Sequence, residues 1–111
     1  MASRGEIWYC DLSPTQGHEQ DGKRPVLVVS VDQFNHGPAT LVVVVPITTR
    51  DKGIPLHVPI TPPDGGVKKP SFAMCEMVRS VTTERLDNCL GAVKRETLAR
   101  VEDRLRILLD L

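Results

Sequence analysis

Aromatic residues are scarce in this chain: one tryptophan, one tyrosine and two phenylalanines among 111 residues. Four rings, some of them needed for a core, do not furnish an exposed aromatic groove for proline-rich peptides. Trp8 and Phe72 read as core residues rather than base-stacking platforms. Charge of one sign is also lacking. Lys plus Arg and Asp plus Glu both number 14, with eight of each sign before residue 81 and six of each after it. No part of the chain is a polycation, so a nucleic-acid partner needs a local patch rather than an overall field. The three cysteines, Cys10, Cys75 and Cys89, show neither CxxC nor Cys/His ligand spacing. This argues against a disulfide framework and against a metal site, and reads as buried free thiols in a reducing cytosol. No apolar run approaches the roughly 20 residues that span a bilayer. Met1 to Arg4 lead straight into a strand-like segment rather than a secretory leader. Together these absences describe a soluble, cytoplasmic protein with no membrane partner and no implied cofactor.

What is present is ordinary globular composition, 41% apolar and 25% charged. The length suits one domain, residues 1–111. A domain of this size buries about two thirds of its unfolded surface, so a homodimer is a natural source of further burial. The pattern is several short strands followed by one helix. Strands are expected over Gly5–Leu12, Pro25–Val31, Thr40–Ile47, Leu56–Ile60, Ser71–Val78 and Cys89–Val93. Pro25–Val31 is almost continuously apolar, as in a strand buried on both faces. Pro46 cannot donate to a ladder and predicts an irregularity near the end of its strand. Single helical turns are expected within Asp32–Pro38 and Thr82–Leu86. In Arg95–Leu111, Leu98, Val101, Leu105 and Leu108 form an apolar helical stripe, backed by Glu96–Arg100 and Glu102–Arg106 pairs. The fold class expected is α+β, mainly β: a small, strongly bent antiparallel barrel with a C-terminal helix.

The chemistry concentrates in Gly17-His18-Glu19-Gln20-Asp21-Gly22-Lys23-Arg24-Pro25, inside a 13–24 loop too long for a tight hairpin. These are the side-chain types that a metal-free phosphodiester cleavage requires. Arg24 supplies a fixed charge and a planar donor fork for phosphate, and Pro25 biases it toward extended backbone at the mouth of a strand. Glu19 is the favoured general base, with His18 a second candidate for base or acid. Thr48 and Thr49, at the end of the third strand, could donate hydroxyls to a phosphate. Gln20, Lys23, Lys52, Lys68, Lys69 and Arg79 are candidates for binding RNA, the cations among them through its backbone. Glu76 joins this set; it lies on the solvent face of its strand or is partnered by Arg24 or Arg79.

Arg4-Gly-Glu-Ile-Trp8, Leu12-Ser-Pro-Thr15, Gly17-His-Glu-Gln20, Gly22-Lys-Arg-Pro-Val-Leu-Val28 and Val45-Pro-Ile-Thr-Thr49 run in order, followed by Lys52-Gly53 and Pro55. In that order and spacing, over essentially the full length, the chain resembles the MazF/PemK toxins of bacterial toxin–antitoxin modules. Glu76-Met-Val-Arg-Ser80 matches a later strand of that family more loosely. The resemblance implies an SH3-like barrel of the CcdB/PemK kind, a homodimer, and a ribosome-independent mRNA interferase that cuts single-stranded RNA. It implies 2′-OH attack without a metal, leaving a 2′,3′-cyclic phosphate and a 5′-OH, and inhibition by a MazE-like antitoxin. The family's catalytic Arg falls on Arg24, its Thr on Thr48 and its acidic loop residue on Glu19. The PemK branch has its His at His18 and its acid at Glu76, but its Arg two residues earlier falls on Met74, and the Gln of many relatives falls on Met77. Both departures favour Arg24 with Thr48 as the essential pair. The alternative is a toxin of the same fold that poisons DNA gyrase, CcdB. Its C-terminus ends Trp-Gly-Ile, whereas this chain ends Ile107-Leu-Leu-Asp-Leu111.

Overall fold

A computed structural model describes residues 1–12 and 22–111. Among these, seven strands and two helices follow one another: β1 (Glu6–Asp11), β2 (Lys23–Val28), α1 (Asp32–Asn35), β3 (Leu41–Thr48), β4 (His57–Ile60), β5 (Ser71–Met74), β6 (Arg79–Thr82), β7 (Leu86–Ala92) and α2 (Arg95–Leu109). The strands run antiparallel in the order β4-β5-β3-β2-β1-β7, with β6 also on β3. β3 is therefore shared. Leu41–Val44 pair with β6 and Ile47–Thr48 with β5, which bends the sheet into the small barrel-like fold expected. Pro46 falls in the gap between those two partners, where an amide proton is not needed on that side.

The central strands are covered on both faces. Val26, Leu27 and Val28 are each fully buried, and alternate between two clusters. One holds Ile7, Leu27, Val45, Ile47, Val58 and Val101; the other holds Cys10, Leu12, Val26, Val28, Val42 and Val44. Each such side chain contributes about 1.5–3 kcal/mol relative to exposure. The two-sided burial expected of the second strand is thus observed. Trp8 and Phe72 are half-buried, Trp8 packing against the second cluster.

Several expectations are corrected. The second strand starts at Lys23, two residues earlier, because Lys23 and Arg24 continue the ladder opposite Asp11 and Cys10. The stretch Ser71–Val78 is not one strand: a 3-10 turn at Cys75–Met77 carries the chain from the β4 side of β3 to a new strand, β6. The last strand begins at Leu86 rather than Cys89. Cys89 is exposed, unlike Cys10 and Cys75. In α2, Val101 is buried, with Leu98 and Leu105 against the core, but Leu108 is 38% exposed and outside the core cluster. Glu102 pairs with Arg4, whose guanidinium also donates to the Val29 carbonyl.

The start of α2 is held from outside. Asp64 accepts hydrogen bonds from the Lys94 N–H (2.8 Å), an orphan backbone donor at the helix start, and from the Thr97 hydroxyl in its first turn. This fixes the 61–70 loop against the helix. Gly66, at φ +81°, lies so close to β7 that an added Cβ would sit 2.1 Å from the Leu90 carbonyl oxygen. No helix among the described residues is long and apolar enough to cross a membrane.

Candidate active site

The buried strands β2 and β3 end together, and their ends present polar groups. Their register pairs Val26 with Pro46, Leu27 with Val45 and Val28 with Val44. Continued by two residues, it sets Arg24 opposite Thr48, and residues directly opposite share a face of the sheet. Arg24 is exposed, whereas Thr48 is only 7% exposed. The Thr48 Oγ1 accepts the Arg50 N–H at 3.2 Å, which orients the hydroxyl and leaves its proton to donate. A guanidinium and an oriented hydroxyl on one face of a sheet end are groups able to meet oxygens of one phosphate.

More positive charge surrounds this strand end. Cys10 is the ladder partner of Arg24. Burial pushes the Cys10 thiol up, and the charges of Arg79 and Arg85 act against that rise. Both guanidiniums therefore lie within electrostatic reach of the residue beside Arg24. Arg79 opens β6 opposite Val44, and Arg85 Nη1 donates to the Asp11 carbonyl at 3.3 Å. Arg85 was not legible as a site residue, because only the return of the chain to β7 brings it to the end of β1.

Lys23 is exposed and forms a 3.2 Å ion pair with Asp87 of β7. Thr49, Lys68 and Lys69 line a cleft of about 510 Å³ with Tyr9 and Pro25, and because successive strand residues alternate, Pro25 and Tyr9 lie on the face of the sheet opposite to Arg24. Lys52 is exposed in the segment between β3 and β4. Glu76 stands apart from these residues. It sits in the 3-10 turn rather than in a strand, and its Oε2 contacts His57 Nε2 at 2.7 Å, in place of the anticipated Arg24 or Arg79. His57 is buried, and nothing in the sequence marked it, since its partner is 19 residues away. Cys75, next to Glu76, is pushed up to about 11, first by burial and then by the Glu76 charge. His18, Glu19 and Gln20 lie outside the described residues.

The ends of these strands thus carry an arginine, an oriented hydroxyl and further guanidiniums, groups suited to a phosphate. Residues 3–109 match the family described as PemK-like, MazF-like toxin of type II toxin-antitoxin system, and the chain belongs to that family. It is 37% identical over 116 residues to "Endoribonuclease MazF9" of Mycobacterium tuberculosis, covering 100% of this chain and 98% of that one. Among solved structures it is similar to MazF from Deinococcus radiodurans, with a TM-score of 0.86, 28% identity and coverage of 99% and 97%. It is also similar to an endoribonuclease in complex with its cognate antitoxin from a mycobacterial species, with a TM-score of 0.83, 26% identity and coverage of 100% and 97%. Endoribonuclease relatives across the full length disfavour the gyrase-poisoning alternative.

Proposed function

We propose that this chain cleaves single-stranded RNA at the end of β2 and β3, with Arg24 and Thr48 holding the phosphate that reacts. That it is an RNA-cleaving toxin restrained by an antitoxin follows from its family and its endoribonuclease relatives. The observation that supports the site is the β2–β3 register, which, continued two residues past Val26 and Pro46, would bring Arg24 opposite Thr48. The 2′-OH of the preceding ribose attacks phosphorus as Glu19 or His18 removes its proton. The P–O5′ bond breaks, a proton returns to O5′, and the products are a 2′,3′-cyclic phosphate and a 5′-OH. Negative charge that grows on the non-bridging oxygens meets the Arg24 guanidinium, preorganised electrostatics of the kind worth about 10²–10³ in rate per donor. Arg24 does here what a divalent cation does elsewhere, so the reaction is expected to proceed in EDTA. Arg79 and Arg85, with Lys23, Lys52, Lys68 and Lys69, supply the local positive patch that a chain of zero net charge needs.

We further propose a cytoplasmic homodimer. The support for the dimer is the apolar surface left uncovered, including Ile107 and Leu109 in the last turn of α2 and Leu111 after it. The inhibitor proposed is a MazE-like antitoxin.

The test is incubation of purified protein with mixed single-stranded RNA in EDTA, with the new 5′ ends mapped. Cleavage at a common short sequence, with 5′-OH ends, is expected. Loss of cleavage in EDTA with recovery on adding magnesium would overturn the metal-free mechanism, and no cleavage in either condition would overturn the nuclease reading.

A further inference from the structure

The two sequence neighbours of Leu86 hold the same rung of the β1–β2 ladder. Leu86 is the partner of Cys10 and packs against the second buried cluster, which seats the start of β7 beside the end of β1. The preceding 3-10 turn, Thr83–Arg85, is itself fixed, because the Thr83 N–H donates to the Thr40 carbonyl at 2.9 Å. From that turn Arg85 Nη1 donates to the Asp11 carbonyl at 3.3 Å. On the other side of Leu86, Asp87 reaches across β1 to Lys23 of β2, at 3.2 Å. Asp11 and Lys23 are partners in register, so both contacts fall on one rung.

That rung stands between two parts of the site. On one side of it Cys10 pairs with Arg24. On the other, the Leu12 N–H donates to the Gly22 carbonyl at 3.0 Å, and residues 13–21 join these two ends. The joining segment contains His18 and Glu19, four and three residues before Gly22. One rung therefore governs both where that segment leaves the sheet and where Arg24 begins. The spacing between a base and the group that holds the phosphate matters steeply, since a 1 Å misplacement can cost about a hundredfold in rate.

The two contacts differ in weight. The Lys23 and Asp87 side chains are 66% and 56% exposed, so water and salt screen their pair and it contributes little. Arg85 is half-buried, and its guanidinium is a charged donor whose planar fork holds a direction. Its charge also reaches the buried Cys10 thiol, one residue before Asp11.

We propose that Arg85 is a positioning residue for RNA cleavage: by holding the Asp11 carbonyl it sets where the segment carrying His18 and Glu19 departs relative to Arg24. This role is additional to its share of the positive patch. It rests on the reading of Glu19 or His18 as the base and of Arg24 as the group that holds the phosphate.

The test is single-turnover cleavage of single-stranded RNA in EDTA by the wild type, Arg85→Lys and Arg85→Gln, at varied protein concentration. Lysine keeps the charge and loses the fork, glutamine loses both, and thermal unfolding confirms each fold. Arg85→Lys is expected to lower the maximal rate about tenfold while the half-saturating concentration stays within about twofold. Near-wild-type cleavage by Arg85→Lys, with only the half-saturating concentration raised in Arg85→Gln, overturns the proposal and leaves Arg85 as a phosphate contact. The second readout is a mutant cycle. In a chain that already carries His18→Gln and Glu19→Gln, Arg85→Lys should change the residual rate by less than about twofold, because no base is left to misplace. A full tenfold loss in that background overturns the proposal, since Arg85 then acts without the base. Wild-type cleavage by the His18→Gln, Glu19→Gln chain refutes the base assignment, and the positioning role falls with it. Exchange of the Leu12 amide proton, followed by NMR, reads the clamp apart from catalysis. If the wild type cuts nothing, the nuclease reading fails, yet Leu12 exchange accelerated about tenfold in Arg85→Lys still supports the clamp, and unchanged exchange overturns it.

Discussion

β1 is flanked by two ladders that differ in kind. Toward β2 it pairs Ile7 to Asp11 with Leu27 to Lys23 without interruption, whereas toward β7 two residues are skipped within five pairs. The regular side is buried on both faces up to Val26 and then continues to Arg24 in unbroken register with Cys10. The irregular side spends its hydrogen bonds less regularly and opens a cleft instead. A straight ladder positions a charge, and a bulged one makes room.

The comparison breaks most sharply at Arg24. Arg24→Ala should lower kcat/KM by about a thousandfold or more while the thermal unfolding midpoint stays within a few degrees, because an exposed strand-end side chain carries little packing. A variant that folds and cuts at the wild-type rate would sink the assignment. Thr48→Val keeps the shape and removes the hydroxyl; a loss of about a hundredfold in kcat is expected in single-turnover cleavage.

On the irregular side the first effect is on stability. Gly66→Ala puts a Cβ into the Leu90 carbonyl at a positive φ, and should cost about 3 kcal/mol or more in urea unfolding. Asp64→Ala leaves the Lys94 N–H and the Thr97 hydroxyl without their acceptor, and about 2 kcal/mol is expected from the same measurement. Near-wild-type stability in either variant would show that the loop is not anchored as described. A further effect belongs to alkaline pH. The Cys75 thiol is raised from 9.0 to about 11 in the fold, so the neutral form is favoured there. The stabilisation is complete below pH 9 and is lost as pH rises toward 11. Unfolding free energy should therefore fall across that interval, and Cys75→Ala should flatten the slope; an equal slope in the variant would remove Cys75 as its cause.

Much of this was legible along the chain because it is local. The β-branched runs marked the central strands, Pro46 marked an irregularity, and the Lys23-Arg24-Pro25 step before an apolar run marked the candidate catalytic arginine. What escaped depends on contacts between distant residues. The 3-10 turn that splits Ser71–Val78 exists because β3 changes partners from β5 to β6. Glu76 was read as a strand residue beside an arginine, and it meets His57 instead. Arg85 lay in an unremarkable turn until β7 carried it to Asp11. Asp64 looked like a turn residue in Pro62-Pro63-Asp64-Gly65-Gly66, yet it serves the start of a helix 30 residues away.

By itself the sequence determined which side chains could handle a phosphate and which segments had to be buried, since residue chemistry and hydrophobic period are written position by position. Tertiary structure alone decided which of those side chains stand together. Strand register is a pairing between segments far apart in the chain, and one skipped residue, as at Asn88 or Leu90, changes which side chains face together. For Arg24 the motif named the group, and it is the β2–β3 register, continued beyond Val26 and Pro46, that points to Thr48 as the group opposite it.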